Sequence, residues 1–310
     1  MTQHAKTDSS HPAGASIETS LLESRTFPPK EARENDFTRW HINSLEDYKR
    51  LHASSIENPI AFWADESKFL DWFTPFKHVL EWEAPDAKWF TGGQTNACYN
   101  CVDRHVQAGH GEDVGLIWEG EPLGPTTSHA SSSSKYATEP EIKRLTYREL
   151  QRQTSRVANV LKSLGVHKGD VVTIYMPMVP ELVIAILACA RIGAAHSVIF
   201  GGFAPHAISE RVIDAHSRVI ITADGGYRRG DVVPLLANVS EALDQLVNHG
   251  HIVNHVLCLK RTGHIPPSQR FVTGDPHPSG RGGTHMHWWH DTVPVASEAC
   301  PCTAMDSEDM

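Results

Sequence analysis

The 310-residue sequence is poor in cysteine, with six, and short of positive charge, with 28 Lys and Arg against 37 Asp and Glu. Six scattered cysteines do not supply the dense framework of a small disulfide-stapled secreted domain, so free and mostly buried thiols in a reducing compartment are expected. A net charge of -9 excludes a chain built to neutralise nucleic-acid phosphates over a broad face, and any polyanion site must be local. No uncharged apolar run of bilayer length occurs: Glu181 and Arg191 interrupt the greasiest segment, and a Gly-rich stretch with His196 and Pro205 follows, so no membrane partner is expected. A G-x-S-x-G nucleophile elbow and a dinucleotide G-x-G-x-x-G are also missing, which leaves hydrolase and dehydrogenase readings without support. The opening MTQHAKTDSSHPAGASIETS is neither an apolar secretory core nor an Arg-rich transit helix, so the cytoplasm, or the nucleus, is the expected location and residues 1–36 read as a disordered tail.

What is present is ordinary globular material, 40% hydrophobic and 21% charged. Ser44 has the position of a helix cap, with Leu45, Tyr48, Leu51 and His52 on one face and Pro59 as the stop. Trp63, Trp72, Trp82 and Trp89 then crowd a short span with little basic interleaving, which predicts an aromatic layer packed on the main core and not a nucleic-acid stacking platform. GLIWEG at 115–120 reads as a short strand. The Pro-, Gly- and Ser-rich stretch over 121–140 cannot bury enough apolar surface to offset its ordering entropy and reads as a loop.

From Thr146 the pattern becomes regular. Thr146 and Glu149 have capping-box spacing, Leu150, Val157, Val160, Leu161 and Leu164 share a helical face, and Gly165 ends it. Strands are predicted over 171–176, 195–200, 218–223 and 255–259, alternating with helices over 181–192, 205–215 and 234–248. The strands at 171–176 and 195–200 are apolar on consecutive positions, the signature of a parallel sheet covered on both faces. The β-α-β-α-β-α-β order predicts an α/β fold, a right-handed parallel sheet flanked by helices. Regularity stops after Lys260, and 261–310 reads as an irregular end.

Open parallel sheets bind ligands beyond the carboxyl ends of their strands, here the loops 177–180, 201–205 and 224–230. The last, DGGYRRG, is the most suggestive. Gly225, Gly226 and Gly230 would permit close backbone approach, Arg228 and Arg229 offer guanidinium forks for phosphate oxygens, and the helix that follows adds its N-terminal dipole. The bland alternative, two solvated charges in a surface turn, stays open at this point. His285, His287 and His290 have spacing compatible with a metal, but no Cys or carboxylate partner stands at ligand spacing in a flank that reads as floppy, so no metal site is expected. Cys98 and Cys101 have dithiol spacing without a strand-to-helix context, and read as buried neighbours.

Several blocks in order resemble one family: GGQTNACYNCVDRH at 92–105, YMPMVPELVIAILACARIGAAHSVIFGGF at 175–203, the Arg228-Arg229-Gly230-Asp231 tetrapeptide, and WWHD at 288–291. These resemble the N-terminal portion of the acetyl-CoA synthetases, AMP-forming acetate ligases of the adenylate-forming superfamily. The resemblance implies a partial N-terminal domain over 37–310, divided into a cap region (37–120), the Ser-rich loop (121–140), a parallel α/β core (141–260) and the irregular end. It implies acetate, ATP and coenzyme A as substrates, with Mg2+ on the triphosphate, and places the phosphate and adenine end of coenzyme A on Arg228, Arg229, Gly230 and Asp231. Asp231 stands where the family usually has a second basic residue, a repulsion worth about 1 kcal/mol if partly shielded from water. No counterpart is found of the family's Ser/Thr/Gly-rich ATP loop, its AMP-holding carboxylate and arginine, or its catalytic lysine. No catalytic residue is therefore assigned, and the chain is expected to be inactive alone. The alternatives are a non-catalytic remnant, a subunit complementing a separate C-terminal half, or part of a ligase for another short acid such as propionate.

Overall fold

The computed structural model describes residues 42, 44–121, 141–229, 231–263 and 283–309. The tail expected over 1–36 and nearly all of the Ser-rich stretch lie outside them. The chain divides into two units at Glu57/Asn58. The described part of the first is helix α1 (Leu45–Glu57), whose start is fixed by Ser44 Oγ accepting the Asp47 N–H at 3.0 Å.

In the second unit, Pro59 starts a new helix. It takes the first position of helix α2 (Pro59–Glu66), capped by Asn58 Oδ1 on the Ala61 N–H at 3.2 Å. An antiparallel hairpin, β1 (His78–Glu83) and β2 (Asp86–Thr91), follows, then the short β3 (Gln94–Thr95). Trp63 meets Trp89 edge-on, and Trp72, Phe76 and Phe90 form a ring cluster with centroids 5.1–5.5 Å apart. This layer is not packed on the main core as expected: none of the four tryptophans is buried, and the layer is held by its own edge contacts. Strand β4 (Val114–Glu119) pairs antiparallel with β5 (Ile142–Thr146), which runs into helix α3 (Tyr147–Ser163) through the predicted capping box.

The α/β core follows the predicted order nearly to the residue: β6 (Val171–Met176), α4 (Pro180–Ile192), β7 (Ala195–Phe200), α5 (Pro205–Asp214), β8 (Val219–Ala223), a hairpin of β9 (Gly226–Arg228) and β10 (Asp231–Val233), α6 (Leu235–Asn248) and β11 (His255–Leu259). The sheet is parallel, in the order β12-β11-β8-β6-β7, where β12 (His285–Trp288) is a fifth strand. Helix α4 packs with α3, and α5 with α6, and the right-handed rule for such crossovers puts the two pairs on opposite faces of the sheet. All five residues of β8 are buried, as a strand covered on both faces requires. Strand β7 departs from that expectation. It is one of the two edge strands of the sheet among the described residues, alternates between covered and exposed positions, and leaves Val198 and Phe200 about half exposed.

The end of the chain is more ordered than its composition suggests. β12 continues into the short helix α7 (Trp289–Thr292), and β13 (Met305–Asp306) pairs with β3. Cys300 is buried, and the Thr303 N–H donates to the Arg191 carbonyl at 2.8 Å. Long-range partners hold a segment that has no periodicity of its own to announce it.

Among the described residues, His287 and His290 have different neighbours. His287 Nε2 shares a hydrogen bond with His255 Nδ1 at 3.1 Å, and the His290 ring lies tilted against Trp288 beside Asp291. Burial first, then His255 and His285, push His287 down to about 4. The folded state therefore binds fewer protons than the unfolded chain, whose histidines titrate near 6.5. Stability is intact above that value and is lost as pH falls toward 4. Urea melts between pH 7 and 4.5 should lose on the order of 1–2 kcal/mol to this group after solvent screening, and His287→Gln should flatten the profile. An unchanged slope in the variant would remove His287 from the account.

Candidate functional site at the sheet switch point

The chain leaves β6 toward β7 on one side and then crosses to β8 on the other, so the order of strand addition reverses between the parallel neighbours β6 and β8, where open α/β sheets bind ligands. A cavity of about 400 Å³ opens at these carboxyl ends, lined mainly by apolar groups such as Trp118, Met176, Val179, Leu182 and Phe200. Two buried polar residues place its walls. Tyr175, fully buried on β6, donates from its hydroxyl to the carbonyls of Phe203 (2.9 Å) and Gly201 (3.2 Å) and accepts from Asn238 Nδ2 (3.0 Å), pinning the loop after β7 to β6 and α6. Burial raises its pKa, so it stays a hydroxyl. Asp224, at the end of β8, is also buried. Its carboxylate accepts the N–H groups of Gly225 (2.8 Å), Arg261 (2.7 Å), Thr262 (3.0 Å) and Gly263 (2.6 Å), which fixes the turn after β11 against the turn after β8.

That turn carries Arg261, whose guanidinium lies 5.2 Å from the Trp118 ring and 5.5 Å from Tyr227 while pairing with Glu141 at 2.8 Å. Trp118 in turn donates its indole N–H to the Met178 carbonyl at 2.7 Å. These contacts join the β4–β5 ribbon to the cavity wall. Asp224 opens the DGGYRRG loop, Tyr175 opens a family block and Trp118 lies in the GLIWEG strand, but none of the three is singled out there for a role; Arg261 lies in no motif, although it follows a strand and the strand-end rule marks such positions.

The expected loop DGGYRRG is a hairpin. Arg228 on β9 faces Asp231 on β10, with Arg229 and Gly230 between them; Gly230 lies outside the described residues. The Arg228 guanidinium stacks 4.8 Å over the Phe200 ring at the cavity mouth. It lies so close to Gly202 that a Cβ there would stand 2.5 Å from Nη1, so Gly202 makes room for this arginine. Arg229 adopts a left-handed conformation (φ 53) that glycine or asparagine takes at lower cost, and its N–H donates to Glu121 Oε2 at 2.7 Å. Arg228, Arg229 and Asp231 thus cluster at one exposed tip. Gly225 and Gly226 play a different part from the one expected. Both are buried, and a Cβ on Gly226 would stand 2.7 Å from Pro177 Cβ, so the close approach they allow is of the protein to itself. With Glu119 and Glu121 also on the rim, the site is an apolar slot with a mixed-charge mouth whose exposed cations are on the hairpin. Such a slot suits a ligand with a flat or apolar body and an anionic end.

Comparison with known proteins places the chain. Residues 127–281 match the AMP-binding enzyme family, and residues 48–101 match the acetyl-coenzyme A synthetase N-terminus. The chain is 42% identical over 298 residues to an acetyl-coenzyme A synthetase of Chlorobaculum tepidum, covering 94% of this chain and 39% of that protein. It is 44% identical over 299 residues to one of Rhodopirellula baltica, covering 96% and 40%. Among solved structures, acetoacetyl-CoA synthetase from Streptomyces lividans superposes with a TM-score of 0.65 at 21% identity, over 84% of this chain and 34% of that one, a likeness of fold. The chain thus spans about 40% of the length of the curated relatives it matches.

Proposed function

We propose, because this chain belongs to the AMP-binding enzyme family and matches the N-terminal portion of the acetyl-CoA synthetases, that it forms the coenzyme A-facing rim of an acetate-activating ligase. The overall reaction would join acetate to ATP, giving acetyl-adenylate and diphosphate, and then transfer the acetyl group to the coenzyme A thiol with release of AMP. Arg228 stacked on Phe200 at the mouth of an apolar slot carries this reading, since it sets a fixed guanidinium beside a surface on which an adenine can lie. Arg229 and Gly230 extend the anion-binding tip, and Asp231 opposes it. Acetate, ATP and Mg2+ are substrates and helper of the whole reaction, and no residue of this chain is assigned to ATP. The domain ranges 37–120, 121–140, 141–260 and 261–310 are proposed on the same resemblance, and a cytoplasmic or nuclear location belongs to the same proposal. Among the described residues no helix is long and apolar enough to cross a membrane.

A second reading, that the chain works only with a complementing C-terminal half, is favoured by one observation. Met178, Val198, Phe200 and Phe203 stand exposed around the cavity mouth and the β7 edge of the sheet, an apolar surface of the kind that another part of a protein covers.

Calorimetric titration of the 310-residue chain with coenzyme A tests both readings. Binding is expected, weakened about tenfold by Arg228→Ala, as loss of a charge-assisted contact predicts, and tightened by Asp231→Lys. Acetate-dependent diphosphate release by the chain alone is expected to be absent. Equal coenzyme A affinity in wild type and Arg228→Ala would defeat the site assignment, and turnover by the isolated chain would defeat the second reading.

A further inference from the structure

Far from the cavity, a buried polar cluster joins three segments of the chain. Arg191, at the end of α4, makes a two-pronged pair with Asp103 (Nη1 to Oδ2 2.7 Å, Nη2 to Oδ1 2.8 Å), and its Nη1 also points at Cys98 Sγ at 3.5 Å. Cys302 Sγ donates to Asp103 Oδ2 at 3.6 Å, and the ligand atoms of Cys98, Asp103 and Cys302 all lie within 4.8 Å of one another. Cys98 is fully buried, while Cys302 is partly exposed and is the cluster's thiol nearest to solvent. The partner of Cys98 is thus Cys302, 204 positions away (302 − 98), and not Cys101, which is exposed and not the buried neighbour that its spacing suggested.

We propose that Cys98 and Cys302 are a peroxide-oxidisable dithiol whose intramolecular disulfide fastens the 300–306 segment to the helical turns at 98–103. Three features carry this, none of which depends on the ligase reading. The two sulfurs lie within 4.8 Å of each other, so reaching the S–S bond length closes a gap of at most about 3 Å. The guanidinium stabilises a thiolate on Cys98, and the Asp103 carboxylate holds the proton on Cys302, so nucleophile and resolving thiol are differentiated. The Cys302 hydrogen bond, and then Arg191, lower the Cys98 pKa against the effect of burial, while the same hydrogen bond and burial raise that of Cys302. A cation fits poorly, because Arg191 already occupies the charge-compensating position between two of the three ligands.

The chemistry balances. The Cys98 thiolate attacks one oxygen of hydrogen peroxide, the O–O bond breaks, and protonation of the leaving hydroxide gives water and a sulfenic acid. The Cys302 sulfur then displaces the sulfenic hydroxyl, forming the S–S bond, and its proton passes by way of Asp103 to the departing hydroxide as a second water. Two thiols are oxidised and one peroxide is reduced. Oxidation also removes the thiolate from a site where one guanidinium faces a thiolate and a carboxylate, leaving a neutral Arg191–Asp103 pair.

The experiment is peroxide treatment of the reduced 310-residue chain, alkylation of the remaining thiols, and non-reducing peptide mapping by mass spectrometry. A dithiothreitol-reversible peptide joining Cys98 to Cys302 is expected, formed at least about tenfold faster than any oxidation of Cys189, which burial pushes up to about 12, or of Cys258, also raised by burial. Cys302→Ser should abolish the cross-link and leave sulfinic acid on Cys98. The idea is overturned if both thiols stay fully alkylatable, if Cys98 pairs with Cys101 instead, or if co-purifying zinc protects Cys98 and Cys302 together. The wild-type map decides the matter even where a variant folds poorly.

Discussion

Arg191→Met is expected to cost about 3–5 kcal/mol in a urea melt followed by circular dichroism, because it leaves the Asp103 carboxylate buried with its main counter-charge gone. The pair is 5% and 8% exposed, so water cannot take the place of the guanidinium. Gln151 Nε2 and the Cys302 thiol still reach Asp103, but neither carries charge. The double variant Arg191→Met/Asp103→Leu should recover most of the loss, since apolar groups of similar volume remove the desolvation penalty together with the attraction. A single variant within about 1 kcal/mol of wild type would mean that the pair is not a principal tie between α4 and the turns at 98–103. The effect should spread to the end of the chain as well. Arg191 also donates Nε to the Cys300 carbonyl, and its own carbonyl receives the Thr303 N–H, so hydrogen exchange at 300–306 should quicken in the same variant.

Asp224→Ala is expected to cost about 2–4 kcal/mol and to release the turn at 261–263. Four backbone N–H groups lose their acceptor at once, and each costs about 1–3 kcal/mol if it stays buried. The turn therefore swings toward water and recovers part of the loss. Faster amide exchange at Arg261, Thr262 and Gly263 should accompany the lower midpoint. Asp224→Asn discriminates further: the amide oxygen can still accept at the Oδ1 position from three of the donors, but its NH2 then faces the Gly263 N–H, so an intermediate loss is expected. If the alanine variant keeps wild-type exchange at those three amides, Asp224 is not what holds the cavity wall. Because Arg261 rides on this turn against Trp118 and Tyr227, coenzyme A binding should weaken in parallel with the exchange if the proposed site is correct.

The two variants probe two kinds of buried charge. Asp103 is balanced by a side chain from a distant helix, and Asp224 by backbone donors from a neighbouring turn. Both serve to hold segments without regular structure of their own. The aromatic layer around Trp72 and Phe90 does a similar task with apolar edges, which is why it stands apart from the main core.

Local pattern, read without coordinates, determines the core of this protein. Strands β6, β7 and β11 and helices α4, α5 and α6 are written in runs of apolar residues, caps and terminating glycines, because each of these signals acts within a few residues of itself. The parallel α/β class follows from their alternation and their short links. The hairpin bearing Arg228, Arg229 and Asp231 is visible as a cluster, and the family blocks point to it. Tertiary structure alone decides the rest. Residues 285–288 carry a polar, His-rich pattern and become a strand only because β11 offers them an unpaired edge. The 300–306 segment is ordered by Arg191 and β3, about a hundred and two hundred positions away. Val198 and Phe200 look like core and are half exposed because β7 lies at the sheet edge. Cys98 meets Cys302 only when the fold brings together residues from opposite ends of the described chain. Hydrogen bonds and charge pairs of that span leave no period in a sequence, and no local rule can read them.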